Sequence, residues 1–302
     1  MKAVVLNRFG GPEELRLDQV DRPEPGPGQV RLRVRAVGVN PFDAKVREGA
    51  MESVFTTPLP TILGIEVAGE VDAVGPDVTG LSIGDEVLGW SDTGAYAEHA
   101  LATTVARKPA GLSWEHAVTL PVAVETTDRA LRLLGVKAGE TLLVNGAAGG
   151  VGTMAVQLGV LAGLRVVGTA GPANQEHVAA LGATPTTYGD GLVERVRAVA
   201  PDGVDAVFDV AGKGVLPAAI ELRGGTDRIV TIADAPAAAE LGVVFTGGPQ
   251  ERSAERLAEL AELAAKGELL TTVAATFPLT EVAEAHRLVA GGHGRGKVVL
   301  TA

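Results

Sequence analysis

The run Gly146-Ala147-Ala148-Gly149-Gly150-Val151-Gly152 is the part of the sequence whose residue types and spacing most directly specify chemistry. It follows the apolar stretch Leu142-Leu143-Val144-Asn145 and precedes Thr153-Met154-Ala155-Val156, which reads as a strand, a glycine turn and the start of a helix. In that setting the glycines let the backbone approach a pyrophosphate, and the helix N-terminus offers unpaired N–H groups and the positive end of its dipole. Ala148, Gly149, Gly150, Val151 and Gly152 are therefore expected to bind a dinucleotide, with Gly152 also allowing close packing of helix on strand. A tight turn that needs no ligand has the same local pattern; the surrounding strand–helix–strand rhythm weighs for binding.

Dinucleotide sites that prefer NAD place an acid at the end of the second strand, against the ribose 2′-hydroxyl. Here that segment reads Val167-Gly168-Thr169-Ala170-Gly171, and the nearest carboxylate, Glu176, comes later in the next helix. The position is open to a 2′-phosphate, so NADP(H) is the expected cofactor. No Lys or Arg lies between Gly171 and Gly182, which leaves the backbone from Gly171 to Asn174, the amide of Gln175 and the hydroxyl of Tyr188 to meet the phosphate.

Metal and thiol chemistry find little support. The chain has no cysteine, which removes disulfides, thiolate nucleophiles and every zinc site built on sulfur. Its histidines, at 99, 116, 177, 286 and 293, show no i, i+4 pair of the kind a helical metal site uses, and read as solvated or core residues. No metal is expected.

The elements that position the glycine turn form a regular series. Thr141 to Asn145, Arg165 to Ala170, Asp205 to Val210 and Arg228 to Ile232 read as buried parallel strands, and Gly150 to Ala162, Asn174 to Leu181, Leu192 to Val199 and Glu251 to Lys266 as helices. That is the pattern of a Rossmann doubly wound parallel sheet. The first third instead alternates short β-rich runs with Pro/Gly turns: Ala3 to Leu6, Gln29 to Val39 and Val67 to Val74. The tail, Leu270 to Phe277, Leu279 to Val289 and Lys297 to Thr301, ends on a strand that is expected to return to this β-rich domain. The fold class is α/β, with a β-rich domain over 1–120 and 268–302 and a nucleotide-binding domain over 121–267. A chain of 302 residues is long enough for two such cores.

The formal charge of -11 argues against nucleic acid as a partner. Only four apolar residues precede Asn7-Arg8, too few for a signal peptide's apolar region, and no stretch is long enough to span a bilayer. A cytoplasmic location, away from membranes, is the expectation.

Six segments in order, AVGVNPFDAKVREG (36–49), GIEVAGEVDAVG (64–75), GDEVLG (84–89), TLPVAVETT (119–127), GAAGGVG (146–152) and GKVVL (296–300), resemble the zinc-independent quinone oxidoreductases of the medium-chain dehydrogenase/reductase superfamily. The resemblance implies a GroES-like catalytic domain completed by the C-terminal tail, a Rossmann domain, and an NADPH cleft between them. It implies that Asn40 reaches the nicotinamide, that Ala211-Gly212 and Ile232-Ala233 line the cofactor's path, and that Phe245-Thr246 approach the carboxamide. Thr126 and Thr127 fall where the family's junction helix faces the nicotinamide, although Glu125 to Asp128 also reads as the polar start of a helix. Zinc-containing members of the superfamily carry a Cys near Asn40 to Phe42 and a Gly-His-Glu motif; this chain keeps Gly64 and Glu66 but has Ile65 between them.

The activity implied is metal-independent hydride transfer from NADPH to a quinone or other conjugated carbonyl, a small-molecule substrate. Asn40 and Asp43 are the catalytic candidates: Asn40 as a donor to the ribose or a developing enolate or as the cap of a turn before Pro41, Asp43 as a proton relay or, more simply, a helix cap. Lys45 stands where some relatives hold an aromatic hydroxyl, and Phe42, Phe55 and Trp90 are candidate pocket walls or core. Arg295 reaches the cofactor from the tail or is merely solvated. An enone or enoyl-thioester double-bond reductase and a non-enzymatic NADPH-binding interaction or sensor protein are the alternatives. Relatives pair through an edge strand of the Rossmann sheet, and LGVVF (241–245) makes a homodimer the expectation.

Overall fold

The ten-residue run Val30–Val39, VRLRVRAVGV, is built as a long strand because aliphatic residues, two of them valines, alternate with arginines over its first half. The alternation lapses in the second half, where Ala36 to Val39 are all buried and strands lie on both sides. One neighbour is Glu66–Val74 and another is the C-terminal strand Lys297–Thr301, both antiparallel to it, while His99–Ala102 pairs with its start. The whole is a seven-stranded sheet in the order 273–278, 297–301, 30–39, 66–74, 86–90, 105–107, with 99–102 off that path. A smaller three-stranded sheet, 15–19, 2–6 and 61–62, shares its core of Val4, Leu6, Leu32, Val34, Val67 and Val87. We describe the chain from a computed structural model covering residues 1–247, 252–292 and 294–302. Glu251, where the sequence pattern begins a helix, and His293 lie outside the described residues.

The chain divides into two units, Met1–Val122 with Ser253–Ala302, and Ala123–Arg252. The first is the GroES-like sheet domain. The helix Ala254–Ala265 falls within it, packed on the strand Val105–Arg107, whereas the sequence pattern carries the nucleotide-binding domain on to 267. Its buried stripe of Leu257, Leu260 and Ala261 has the i, i+3, i+4 spacing of any amphipathic helix, which does not say which sheet it covers.

The second unit is a six-stranded parallel sheet in the order 184–186, 165–169, 141–145, 206–209, 229–231, 244–245, the strand order of a Rossmann fold. Its central strands, 141–145, 206–209 and 229–231, are short, buried and largely apolar, as in a sheet with helices on both faces. Two helices the periodicity does not announce, Leu216–Arg223 and Ala235–Leu241, complete the crossovers; both carry a proline in the first turn and end on a left-handed glycine. Among the described residues no helix is long and apolar enough to cross a membrane.

Gly146 turns the first strand with φ +89, and Gly152 lets the helix Gly150–Leu161 sit against that turn. A Cβ on Gly152 would lie 2.1 Å from the Gly146 carbonyl oxygen and 2.8 Å from Ala147 Cα, both unyielding backbone atoms. Gly152→Ala is therefore expected to cost about 1–3 kcal/mol in urea unfolding. A variant as stable as the parent would show that this contact is not tight.

Candidate functional site

In the first unit, Pro41–Arg47 forms a short helix with Asn40 as its N-cap. Asp43, at the third helical position, accepts the Asn40 backbone N–H at 2.8 Å through Oδ2. The capping role thus belongs to Asn40, and Asp43 closes the turn from inside. The Asn40 side chain does not stand free. Its Oδ1 accepts from Lys297 Nζ at 2.6 Å and its Nδ2 donates to Glu66 Oε1 at 2.9 Å. An ammonium can only donate and a carboxylate can only accept, so these partners fix which way the amide points. One N–H of the amide is left over by these bonds.

Glu66 is fully buried and pairs with Lys297 at 2.7 Å. Its second oxygen accepts the backbone N–H of Val122 at 3.0 Å, supplying the acceptor that the first turn of helix Pro121–Leu134 lacks. Gly38 makes room for the carboxylate: a Cβ there would fall 2.1 Å from Glu66 Oε1. The same helix corrects an expectation. Glu125 to Asp128 is not a helix start, because proline begins the helix at Pro121 and places Glu125, Thr126 and Thr127 buried in its second turn.

Asp43 Oδ2 also accepts from the Tyr96 hydroxyl at 3.2 Å; that hydroxyl contacts His286 Nε2 at 3.1 Å, and His286 Nδ1 meets Arg47 at 3.1 Å. All four side chains are buried. Burial raises the Asp43 carboxyl to about 6, with the nearby Glu66 charge adding to the rise and the bonds from Asn40 and Tyr96 opposing it. Burial, reinforced by the Arg47 charge, lowers His286 to about 4 and leaves a neutral imidazole at neutral pH.

In the second unit, one polar side chain from each of four adjacent strands meets at their carboxyl ends. Asn145 donates to Asp209 Oδ1 at 2.8 Å, Thr169 donates to Asn145 Oδ1 at 2.6 Å, and Thr231 donates to Asp209 Oδ2 at 2.7 Å. Asp209 Oδ1 further accepts the backbone N–H groups of Ala211 and Gly212 at 3.1 and 2.8 Å, and Ala233 N donates to Thr231 Oγ1. Ala211-Gly212 and Ile232-Ala233 are thereby held just beyond two strand ends, where ligands of doubly wound sheets sit.

The glycine turn leaves room at its second glycine. Gly149 caps the helix without a side-chain bond, and a Cβ on it would meet only the Gly146 oxygen at 3.7 Å, so packing does not demand a glycine there. Beyond the second strand, the Tyr188 hydroxyl stands 3.3 Å from where a Gly171 Cβ would be, bringing those two residues together, while Glu176 is exposed on the helix Gln175–Ala180. Gln175 is already engaged: its Nε2 donates to the carbonyls of Ala170, Gly171 and Thr186. The Asn174 N–H is also spent, on Gly171 O at 2.9 Å. Sequence alone does not show Arg195, whose guanidinium gathers the carbonyls of Thr187, Tyr188, Gly189 and Asp190 and so holds the Tyr188 loop.

Of the two threonines on helix Pro121–Leu134, Thr126 donates to Glu125 at 3.3 Å, whereas the buried Thr127 hydroxyl has no hydrogen-bond partner. Thr246 accepts from Arg129, which also pairs with Glu125. Phe245 lies exposed on the edge strand Val244–Phe245, and Arg295 is exposed on the turn before Lys297. Phe42 and Phe55 pack ring to ring at 5.9 Å, and Trp90 is buried in its strand.

Residues 26–120 match the family model "Alcohol dehydrogenase GroES-like domain", and residues 181–300 match "Zinc-binding dehydrogenase". Over 99% of its length the chain is 30% identical to the human quinone oxidoreductase, covering 97% of that protein. The chain belongs to the quinone oxidoreductase family of the medium-chain dehydrogenase/reductase superfamily. It is also 33% identical to a chloroplastic NADPH-dependent alkenal/one oxidoreductase of Arabidopsis thaliana, over 99% of this chain and 79% of that one. Among solved structures, a mycobacterial protein described as complexed with NADPH superposes with TM-score 0.87 at 29% identity, covering 100% of both chains.

The second model's name raises zinc, and the donor set here does not fit it. The carboxylate that the zinc enzymes' motif would offer is paired with an ammonium, the preceding residue is Ile65, and the buried imidazole is held by Arg47 and Tyr96. Cysteine is absent from the sequence.

The buried acid and imidazole give stability an opposed pH dependence. Asp43 binds its proton more tightly folded than unfolded, so its contribution is present below pH 3.8 and is lost as pH rises to about 6. His286 binds its proton less tightly folded, so its contribution is present above pH 6.5 and is lost as pH falls toward about 4. The two trends offset each other in the native chain. Asp43→Asn removes the first, so its stability is expected to gain about 3 kcal/mol relative to the parent between pH 4 and 6 and then to run parallel. His286→Gln should change in the opposite sense. Urea unfolding across this range checks both; parallel curves throughout would contradict the assignment.

Proposed function

We propose that the protein is an NADPH-dependent, metal-independent oxidoreductase that transfers hydride to a quinone or another conjugated carbonyl. The observation that carries this reading is the Asn40–Glu66–Lys297 cluster: a polar site whose one carboxylate is neutralised by an ammonium, leaving amide chemistry rather than a metal to meet a substrate. The glycine turn, with Gly149 and the N–H groups of Gly150 to Gly152, would hold the pyrophosphate, and Tyr188 beside Gly171 would meet the 2′-phosphate. The unpartnered Thr127 hydroxyl would be free to turn toward the bound cofactor, with Thr126 already committed to Glu125.

When bound, NADPH supplies the hydride. Quinones and enones spread the resulting negative charge onto an oxygen remote from the attacked carbon, so they need only modest electrophilic help. The remaining Asn40 N–H supplies such help, its amide oriented by two charged partners before substrate arrives. A proton from solvent then completes the hydroquinone or the saturated carbonyl. The similarity to an alkenal/one oxidoreductase favours enones as a second substrate class. We place the protein in the cytoplasm, as a homodimer paired through Val244–Phe245, whose side chains are 47% and 40% exposed at the sheet edge.

The test is NADPH consumption, with chelator present, against ortho- and para-quinones, alkenals and cyclic enones, repeated with NADH. Multiple turnovers driven by a conjugated carbonyl, with NADPH preferred, are expected. NADPH binding without turnover of any of them would contradict the reading and favour the interaction or sensor protein. In parallel, Gly149→Ala is expected to raise the NADPH Kd about tenfold or more while leaving unfolding unchanged, since an added methyl meets the ligand and not the protein.

A further inference from the structure

Asp43 and Arg47 sit one turn apart on the helix Pro41–Arg47, and so project from the same face. Between them stand two side chains from distant parts of the chain, Tyr96 and His286, the latter on the helix Val282–Gly291. The rings meet edge to face, with centroids 5.7 Å apart and planes at 88°. The chemistry of the two ends fixes the direction of every bond. A guanidinium has no acceptor, so Arg47 donates to His286 Nδ1; the imidazole proton is then on Nε2 and donates to the Tyr96 oxygen; Tyr96 donates to Asp43, which also accepts the Asn40 N–H. The chain is a closed circuit that begins and ends on one helix, with a cation at one end and an anion at the other.

We propose that Tyr96 and His286 are positioning residues of the site: with Arg47 they clamp Asp43, and Asp43 holds Asn40 at the helix N-cap in the orientation the reaction uses. The inference rests on the oxidoreductase reading and deepens it. Arg47 is anchored in turn by the Gly10 carbonyl at 3.0 Å and by Glu48. Glu66 and Lys297 face Asp43 from the sheet, and Arg47 is the charge that faces His286. Protonation of Asp43 removes the charge that strengthens both bonds to its Oδ2, so Asn40 is held less firmly in acid.

Tyr96→Phe keeps the buried ring and removes only the hydroxyl. Assayed where circular dichroism shows it folded, this variant is expected to lose about tenfold to a hundredfold in kcat while its NADPH Kd is unchanged. The acid limb of its pH profile should move to higher pH, because the lost bond favoured the ionised carboxyl. His286→Phe should behave the same way, and His286→Gln, which can still donate to Tyr96, should recover part of the loss. A folded Tyr96→Phe with the parent's kcat and pH profile would overturn the proposal and leave a purely structural staple. If the parent itself turns over no conjugated carbonyl, the oxidoreductase reading fails separately. The clamp is then read by carbon NMR titration of Asp43, which must shift upward in Tyr96→Phe; an unmoved titration would overturn it.

Discussion

The buried ion pair between Glu66 and Lys297 is the constraint around which the first unit is arranged. Two charges taken out of water lose several kcal/mol of hydration each and are tolerated only when the remaining lone pairs and protons find partners. Here Asn40 bonds to both members and Val122 N takes the second carboxylate oxygen. Four elements far apart in sequence are thereby tied to one point: the strand ends at Val39 and Glu66, the start of helix Pro121–Leu134, and the C-terminal strand. Gly38 is glycine because the carboxylate occupies the volume its side chain would need. Asn40 is in turn held at its backbone by Asp43, so its amide and its N–H are fixed from two directions.

The second unit secures its buried polar groups differently. Its strand ends are pinned by Asn145, Thr169, Asp209 and Thr231, a network that also takes up the N–H groups of Ala211, Gly212 and Ala233. The first unit is thus organised on a buried ion pair and the second on a lone carboxylate met by neutral donors. The fold permits this division, since a doubly wound sheet opens its loops at one edge and a β-rich domain can bury a polar cluster between strands.

What was legible in the sequence follows from which signals are local. The glycine turn, its flanking strand and helix, and most Rossmann elements are written in contiguous residues, and the structure reproduces them within a residue or two. Asn40 and Asp43 were each legible as a possible cap, though their division of labour was not. Glu66 stood out only as a remnant of a metal motif, and Lys297, Tyr96 and His286 were silent as site residues: Asn40 and Lys297 lie 257 positions apart, and no periodicity links residues that only the closing C-terminal strand and helix bring together. Glu125 to Asp128 misled because a run of polar residues resembles a helix start; Pro121 was the stronger punctuation. Gln175 looked available to a phosphate because composition cannot show that its amide is spent on three carbonyls.

Lys297 neutralises the one carboxylate of this cluster. A double-mutant cycle on unfolding free energy, using Lys297→Met, Glu66→Leu and the two together, tests it most directly. Each single change should cost about 3–5 kcal/mol by stranding a buried charge. The double variant, with neither charge to strand, should cost about 2 kcal/mol or more below the sum. Additive losses would show that the two side chains do not answer to each other, and would contradict the account.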